Sequence, residues 1–135
     1  MRFQKIVKNK WQKKFNKKSK IEQLIIRSNL LGGDLRVTNF GGGNTSSKII
    51  SKDPINKNNQ TILYVKGSGG DLGSIKKEGF APVKLNYLKR LALLDSLSDS
   101  EMVSHQRLAT LNPKSPNPSV EAILHAIIPL KFVDH

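Results

Sequence analysis

Two glycine-rich stretches carry the residue types that hold an anion: Asn39-Phe40-Gly41-Gly42-Gly43-Asn44-Thr45-Ser46 and Lys66-Gly67-Ser68-Gly69-Gly70-Asp71. Glycine lets successive backbone N–H groups turn toward one point as a nest, and Asn, Ser and Thr add donors for phosphate oxygens. Neither stretch is a nucleotide signature. There is no Gly-Lys-Ser/Thr ending, and the first leads into a strand pattern where a dinucleotide or Walker loop leads into a helix. Tight β-turns are the competing reading of the same composition.

Further along, Pro118-Ser119-Val120-Glu121 places a hydroxyl at an expected helix N-cap and a carboxylate in the first turn. One reading is capping, worth about 0.5–2 kcal/mol, with a charge–dipole contact of about 0.3–1 kcal/mol. The other is a positioned general acid/base. His125 follows Glu121 by four residues, close to the same helical face, and suits either a Glu/His pair, a metal contribution or a plain hydrogen-bonded histidine. His105 sits in a polar segment and suggests nothing specific. His135, at the end of an apolar stretch, is a possible metal ligand, but zinc needs about three or four protein ligands. The chain has no cysteine, which excludes disulfides and thiolate metal sites and fits a cytoplasmic protein.

Those residues must be positioned by secondary structure that periodicity makes legible. Ile21–Leu31 reads as a helix with Ile21, Leu24 and Ile25 on its apolar stripe, closed by Gly32-Gly33, where a positive φ would cost little. Extended segments are expected at Leu35–Thr38, Thr45–Ile50 and Thr61–Val65, the last two joined by a hairpin connection over Asp53–Gln60. Helical spacing returns over Pro82–Leu94 and breaks at Ser96–Ser100. Pro113, Pro116 and Pro118 make a stiff loop into a helix from about Ser119, whose Val120, Ile123, Leu124, Ile127 and Ile128 should face a core. Pro129 ends that helix, and Lys131–His135 opens a strand on which the sequence stops mid-element.

The 135 residues suit one domain, and 37% hydrophobic residues allow a modest core. A net charge of +13 would ordinarily point to polyanions. Much of it, however, lies in residues 1–20, a lysine-rich arm without a single acid, while 21–135 is only mildly basic. Phe3, Ile6, Val7, Trp11 and Phe15 fall near helical spacing there, so the arm is expected to form an amphipathic helix when docked. No apolar run approaches the roughly 20 residues a membrane span needs, and the start lacks a signal-peptide apolar region.

Taken in order, Arg27-Ser28-Asn29-Leu30-Leu31-Gly32, Arg36-Val37-Thr38-Asn39-Phe40-Gly41-Gly42-Gly43-Asn44-Thr45-Ser46 and Val65-Lys66-Gly67-Ser68-Gly69-Gly70-Asp71-Leu72-Gly73 resemble the bifunctional rhamnulose-1-phosphate aldolase and alcohol dehydrogenase family, within the wider class II aldolase and adducin head-domain superfamily. The likeness runs on through Lys77-Glu78-Gly79-Phe80-Ala81, Leu111-Asn112-Pro113, Pro118-Ser119-Val120-Glu121 and Leu124-His125-Ala126 to Val133-Asp134-His135, nearly everything after the arm.

The resemblance implies an α/β domain over residues 21–135, three-layered α/β/α with a mainly antiparallel central sheet, incomplete at its end, in a family that assembles as tetramers. It implies that Gly43, Asn44, Ser68, Gly69 and Ser119 bind the phosphate of a ketose 1-phosphate, that Glu121 is the catalytic acid/base, and that His135 is the first histidine of a zinc-binding His-x-His pair. The implied chemistry is that of a zinc-dependent aldehyde lyase, cleaving a rhamnulose 1-phosphate-like sugar to dihydroxyacetone phosphate and lactaldehyde. There a divalent Lewis acid stabilises the enediolate while Glu121 moves protons and the phosphate nest holds the reacting bond in register. The later ligand histidines and the dehydrogenase part do not occur within these residues, so the chain alone is expected to be inactive and to bind zinc poorly. Two other classes remain open: a small basic nucleic-acid-binding protein using the arm with Trp11 and Phe15 as stacking rings, and a non-catalytic adducin-like interaction module.

Overall fold

The computed structural model describes residues 7–135, and its centre is a four-stranded sheet. β1 (Thr45–Lys52), β2 (Asn59–Lys66), β3 (Phe80–Lys84) and β4 (Phe132–Asp134) lie in the order β3-β2-β1-β4, and every neighbouring pair is antiparallel. The β1–β2 hairpin turns where the sequence places it. The Asp53 carboxylate accepts the N–H groups of Ile55 and Asn56, and Lys57 takes the left-handed conformation at φ 62° that closes the loop.

Alternation along β2 sends side chains to both faces and so makes three layers. On one face Leu63 and Val65, with Ala81 and Val83 of β3, pack against Leu85, Leu88 and Leu91 of α2 (Leu85–Leu91) and Ala122 and Ala126 of α4 (Ala122–Ile127). On the other face Tyr64 and Phe80 meet Leu24 of α1 (Lys20–Gly32) together with Leu72 and Ile75. α1 opens on a capping box in which Ser19 and Glu22 exchange side-chain and backbone bonds. Its end touches the Leu72–Gly73 backbone so closely that a Cβ on Gly32 would lie 2.2 Å from the Gly73 nitrogen. The expected positive φ is not what the glycines provide: Gly33 caps the helix at φ −79°, and Gly32 serves close approach.

The structure departs from the sequence reading in five places. Leu35–Thr38 is a turn, because Asp34 captures it: its carbonyl accepts the N–H groups of Val37 and Thr38, and its carboxylate those of Arg36. Pro82–Leu94 is not one helix. Phe80–Lys84 forms an edge strand, where Pro82 needs no donor, and the helix begins only at Leu85. The polar stretch after it contains an additional helix, α3 (Asp99–Ala109), started by a Ser98/Glu101 capping box.

Of the expected apolar stripe at α4, Ile123 packs against the core and the larger part turns outward. Val120, Leu124 and Ile127 are 65%, 55% and 48% exposed, while Ala122, His125 and Ala126 are buried because small side chains let the helix sit close to the sheet. The arm is not an α-helix over its described part. It is extended and then makes a 3-10 turn at Lys13–Lys17, with Trp11 edge-on to Phe15 and its indole N–H donated to the Asn16 side chain. Phe3 and Ile6 lie outside the described residues.

Gly32→Ala should cost about 1–3 kcal/mol, since a methyl group has only backbone to push against. A thermal melt of the variant checks this; an unchanged midpoint would mean that α1 and the Leu72–Gly73 loop can separate freely.

Candidate functional site

Every residue that the sequence singled out for the site lines one cleft of about 280 Å³: Gly43, Asn44, Ser68, Gly69, Ser119, Glu121 and His135, together with Gly41, Gly42, Lys66 and Val120. Three connections assemble it. Asn44 and His135 exchange backbone bonds, Asn44 N–H to the His135 carbonyl at 2.7 Å and His135 N–H to the Asn44 carbonyl at 2.9 Å, extending the β1–β4 ladder past its ends. The second glycine loop pairs with the proline loop through the Gly67–Pro118 bridge, with Ser68 N–H donating to Asn117 and Ser119 N–H to Lys66. The third is made by side chains: Asn44 Nδ2 donates to Ser119 Oγ and, at 3.4 Å, to Glu121 Oε2. A carboxylate only accepts, which fixes the amide orientation and leaves the buried Asn44 Oδ1 without a donor among the described residues.

Ser119 is therefore not the helix cap that the sequence suggested. Its hydroxyl takes the Asn44 amide, and Glu121 occupies the N-cap position with no side-chain capping bond. Residues outside the cleft hold its walls. Lys48 donates its amine to the carbonyls of Ile128 and Leu130, clamping the Pro129 bend that carries α4 into β4. Arg27 pairs with Asp134 at 2.5 Å, donates to the Ser46 carbonyl at 2.6 Å and lies over the Phe132 ring.

The electrostatics favour a carboxylate facing an anion-binding wall. Its own backbone N–H, then Ser119 and Asn44, hold the Glu121 carboxyl below its ordinary value against the opposite pull of partial burial. Glu121 is ionised at neutral pH. His125 is fully buried beneath the site, its ring 5.2 Å from that of His135 and its Nδ1 2.7 Å from Ser46 Oγ. Burial, and then the neighbouring His135, push it down to about 4, so it is a neutral packing histidine. Among the described residues no three His, Asp or Glu side chains come together as a metal-binding group, and Glu121 and His135 give the cleft two donors where a catalytic zinc needs about three.

Sequence reasoning passed over Lys66. It is 5% exposed, lines the cleft beside Ser68, and forms neither of the ion pairs found among the described residues, Arg27–Asp134 and Arg36–Asp34. The signal was available in the sequence: a lysine closing a buried strand directly before a glycine loop puts a cation beside that loop.

No protein-family model matches the chain. Over 115 residues it is 43% identical to an uncharacterized oxidoreductase of Bacillus subtilis (strain 168), YuxG, spanning 85% of this chain and 16% of that protein. Among solved structures it is similar to the N-terminal class II aldolase domain of a conserved protein from Thermoplasma acidophilum, with a TM-score of 0.85 and 37% identity over 96% of this chain and 59% of that one. The fold is that of a class II aldolase domain.

A buried neutral histidine makes stability depend on pH in a defined direction. The folded His125 titrates near 4 and the unfolded one near 6.5, so between those values the unfolded chain binds the extra proton. The contribution is complete above about pH 6.5 and is lost as pH falls toward 4. Urea titrations across that window should show a slope of about one proton that His125→Gln removes; a slope unchanged in the variant would assign it elsewhere.

Proposed function

We propose that this chain, with its class II aldolase fold, forms the phosphate-binding and proton-transferring part of an aldolase-type site for a ketose 1-phosphate, with rhamnulose 1-phosphate as the favoured substrate. The observation that carries the reading is the meeting in one cleft of glycine-loop backbone, three hydroxyl or amide side chains, Lys66 and an ionised carboxylate. Lys66 forms neither of the ion pairs found among the described residues, and a sugar phosphate in the cleft would give it an anion.

The roles follow from the chemistry of each group. Ser68, Ser119 and the Gly43 and Gly69 backbone take phosphate oxygens, Lys66 neutralises their charge, and Asn44 holds Ser119 and Glu121 in place through its amide. Remote binding of this kind holds the carbon–carbon bond in register, where fixed geometry is worth far more than affinity. Glu121, ionised and tied to Asn44, takes a proton from the bound substrate or returns it to the product carbon. His135 faces the same cleft and would serve as one ligand of zinc completed by groups beyond those described here. That metal supplies Lewis-acid stabilisation of the enediolate when bound, and the described residues alone do not assemble it.

Assembly belongs to the same reading. Val120 at the cleft, Leu124 on α4, Leu130 before β4 and Phe132 on it expose apolar surface that suits the subunit contacts of a tetramer with sites between protomers. The B. subtilis relative, called an oxidoreductase and far longer than this chain, supports a setting in which an aldolase-type domain is one part of a larger protein.

Calorimetric titration with dihydroxyacetone phosphate tests the binding half. The chain should bind it in a manner competed by inorganic phosphate, and Lys66→Met should weaken binding at least about tenfold by removing a charge-assisted contact. Equal affinity in the variant would remove Lys66 from the site, and absence of binding in the parent would sink the reading. The 135-residue chain should not cleave rhamnulose 1-phosphate even with added zinc, and turnover would show that its metal site is complete.

A further inference from the structure

We infer that Asp71, which does not line the cleft, is a positioning residue that sets its anion affinity by fastening the two glycine loops to each other. The inference rests on the phosphate site proposed above.

The two loops approach from different parts of the chain, and their tips have little else to hold them. At Gly41, Gly69 and Gly70 an added Cβ would meet nothing within 4 Å, so no packing fixes the backbone there. Gly41 and Gly69 also stand at φ 71° and 85°, conformations that glycine leaves as readily as it enters. What joins the tips is one carboxylate. Asp71 Oδ1 accepts the Gly41 N–H at 3.2 Å, and Oδ2 accepts the Ser74 hydroxyl at 3.2 Å, which holds the rotamer facing the first loop. Apart from this link the bonds lie toward the bases of the loops: Asn39 to Gly42 and Asn44 to His135 in the first, Gly67 to Gly79 and Ser68 to Asn117 in the second, with Asn44 reaching Ser119 between them. Without the Asp71 link the distance between the two halves of the phosphate nest would be freer to vary. Ordering them at the moment of binding would be charged against affinity.

Charge alone predicts the opposite of this fastening role. A carboxylate beside an anion site repels the ligand, so on electrostatic grounds every neutral replacement of Asp71 should tighten phosphate binding. The two effects therefore differ in sign in the alanine variant and agree in the asparagine variant.

The experiment is a calorimetric titration of the full chain with inorganic phosphate, with amide hydrogen exchange at Gly41 measured in the same samples. Asp71→Asn keeps an acceptor for Gly41 and should bind phosphate at least as tightly as the parent, with Gly41 still protected. Asp71→Ala should bind about tenfold more weakly and lose that protection. Ser74→Ala retains the charge but frees the rotamer and should weaken binding two- to threefold, less than removing the carboxylate does, which keeps the test alive if the alanine variant folds poorly. Phosphate binding in Asp71→Ala as tight as in the parent, or tighter, overturns the inference, as does full affinity in Ser74→Ala. If the parent itself fails to bind phosphate, the proposed site falls and this inference falls with it. Failure of the variants alone leaves the site standing.

Discussion

Two backbone hydrogen bonds between Asn44 and His135 are the constraint on which the site depends. They continue the β1–β4 ladder by one residue pair, so the register that pairs Thr45 with Asp134 also sets the end of β4 against the first glycine loop. Once the Asn44 backbone is held there, its side chain reaches Ser119 and Glu121, and those two residues arrive on a segment already bonded to the second loop. A one-residue slip of β4 would turn every side chain to the opposite face and take His135 away from the cleft.

Keeping that register requires polar groups inside the core, and the three hydroxyls of β1 each find a partner there. Thr45, Ser46 and Ser47 are fully buried on β1, an unusual place for three hydroxyl residues. Thr45 bonds to Ser28 of α1, Ser46 to His125 of α4 and Ser47 to Arg27. Two of these bonds cross from the sheet to α1 and one to α4, so the same contacts that avoid a desolvation penalty also fix where the two helices sit. Arg27 and Lys48 then pin the short β4 from either side, by the Asp134 pair and by the carbonyls after α4. A three-residue strand has too few ladder bonds to hold a catalytic wall by itself, and these two cations compensate.

Much of this was legible in the sequence where local chemistry and burial agree. The β1–β2 hairpin, α1 and the last strand follow from alternation, caps and the Asp53-Pro54 turn, and the site residues follow from glycine loops and the motif resemblance, which together put Asn44, Ser68, Ser119 and Glu121 on one cleft. The failures have specific causes. At Leu35–Thr38 the apolar alternation was real, but Asp34 offered the backbone closer partners than any strand could. α3 was hidden because its weak apolar pattern drew attention away from Ser98 and Glu101, which spell a capping box. In α4 bulk misled: the large side chains form the stripe, yet close packing on the sheet selects the alanines and His125. Lys66 was read as part of a loop, although it ends β2 and is buried.

The most direct measurement is a crystal structure of the chain with phosphoglycolate, a small mimic that carries the phosphate of a cleaved ketose phosphate and a carboxylate in place of its enediolate end. The phosphorus should lie between the two glycine loops, with its oxygens within hydrogen-bonding distance of Ser68, Ser119 and the Lys66 amine, and the Asn44–His135 backbone pair intact. Phosphate bound at any other surface, with these groups facing only solvent, would contradict the assignment of the cleft.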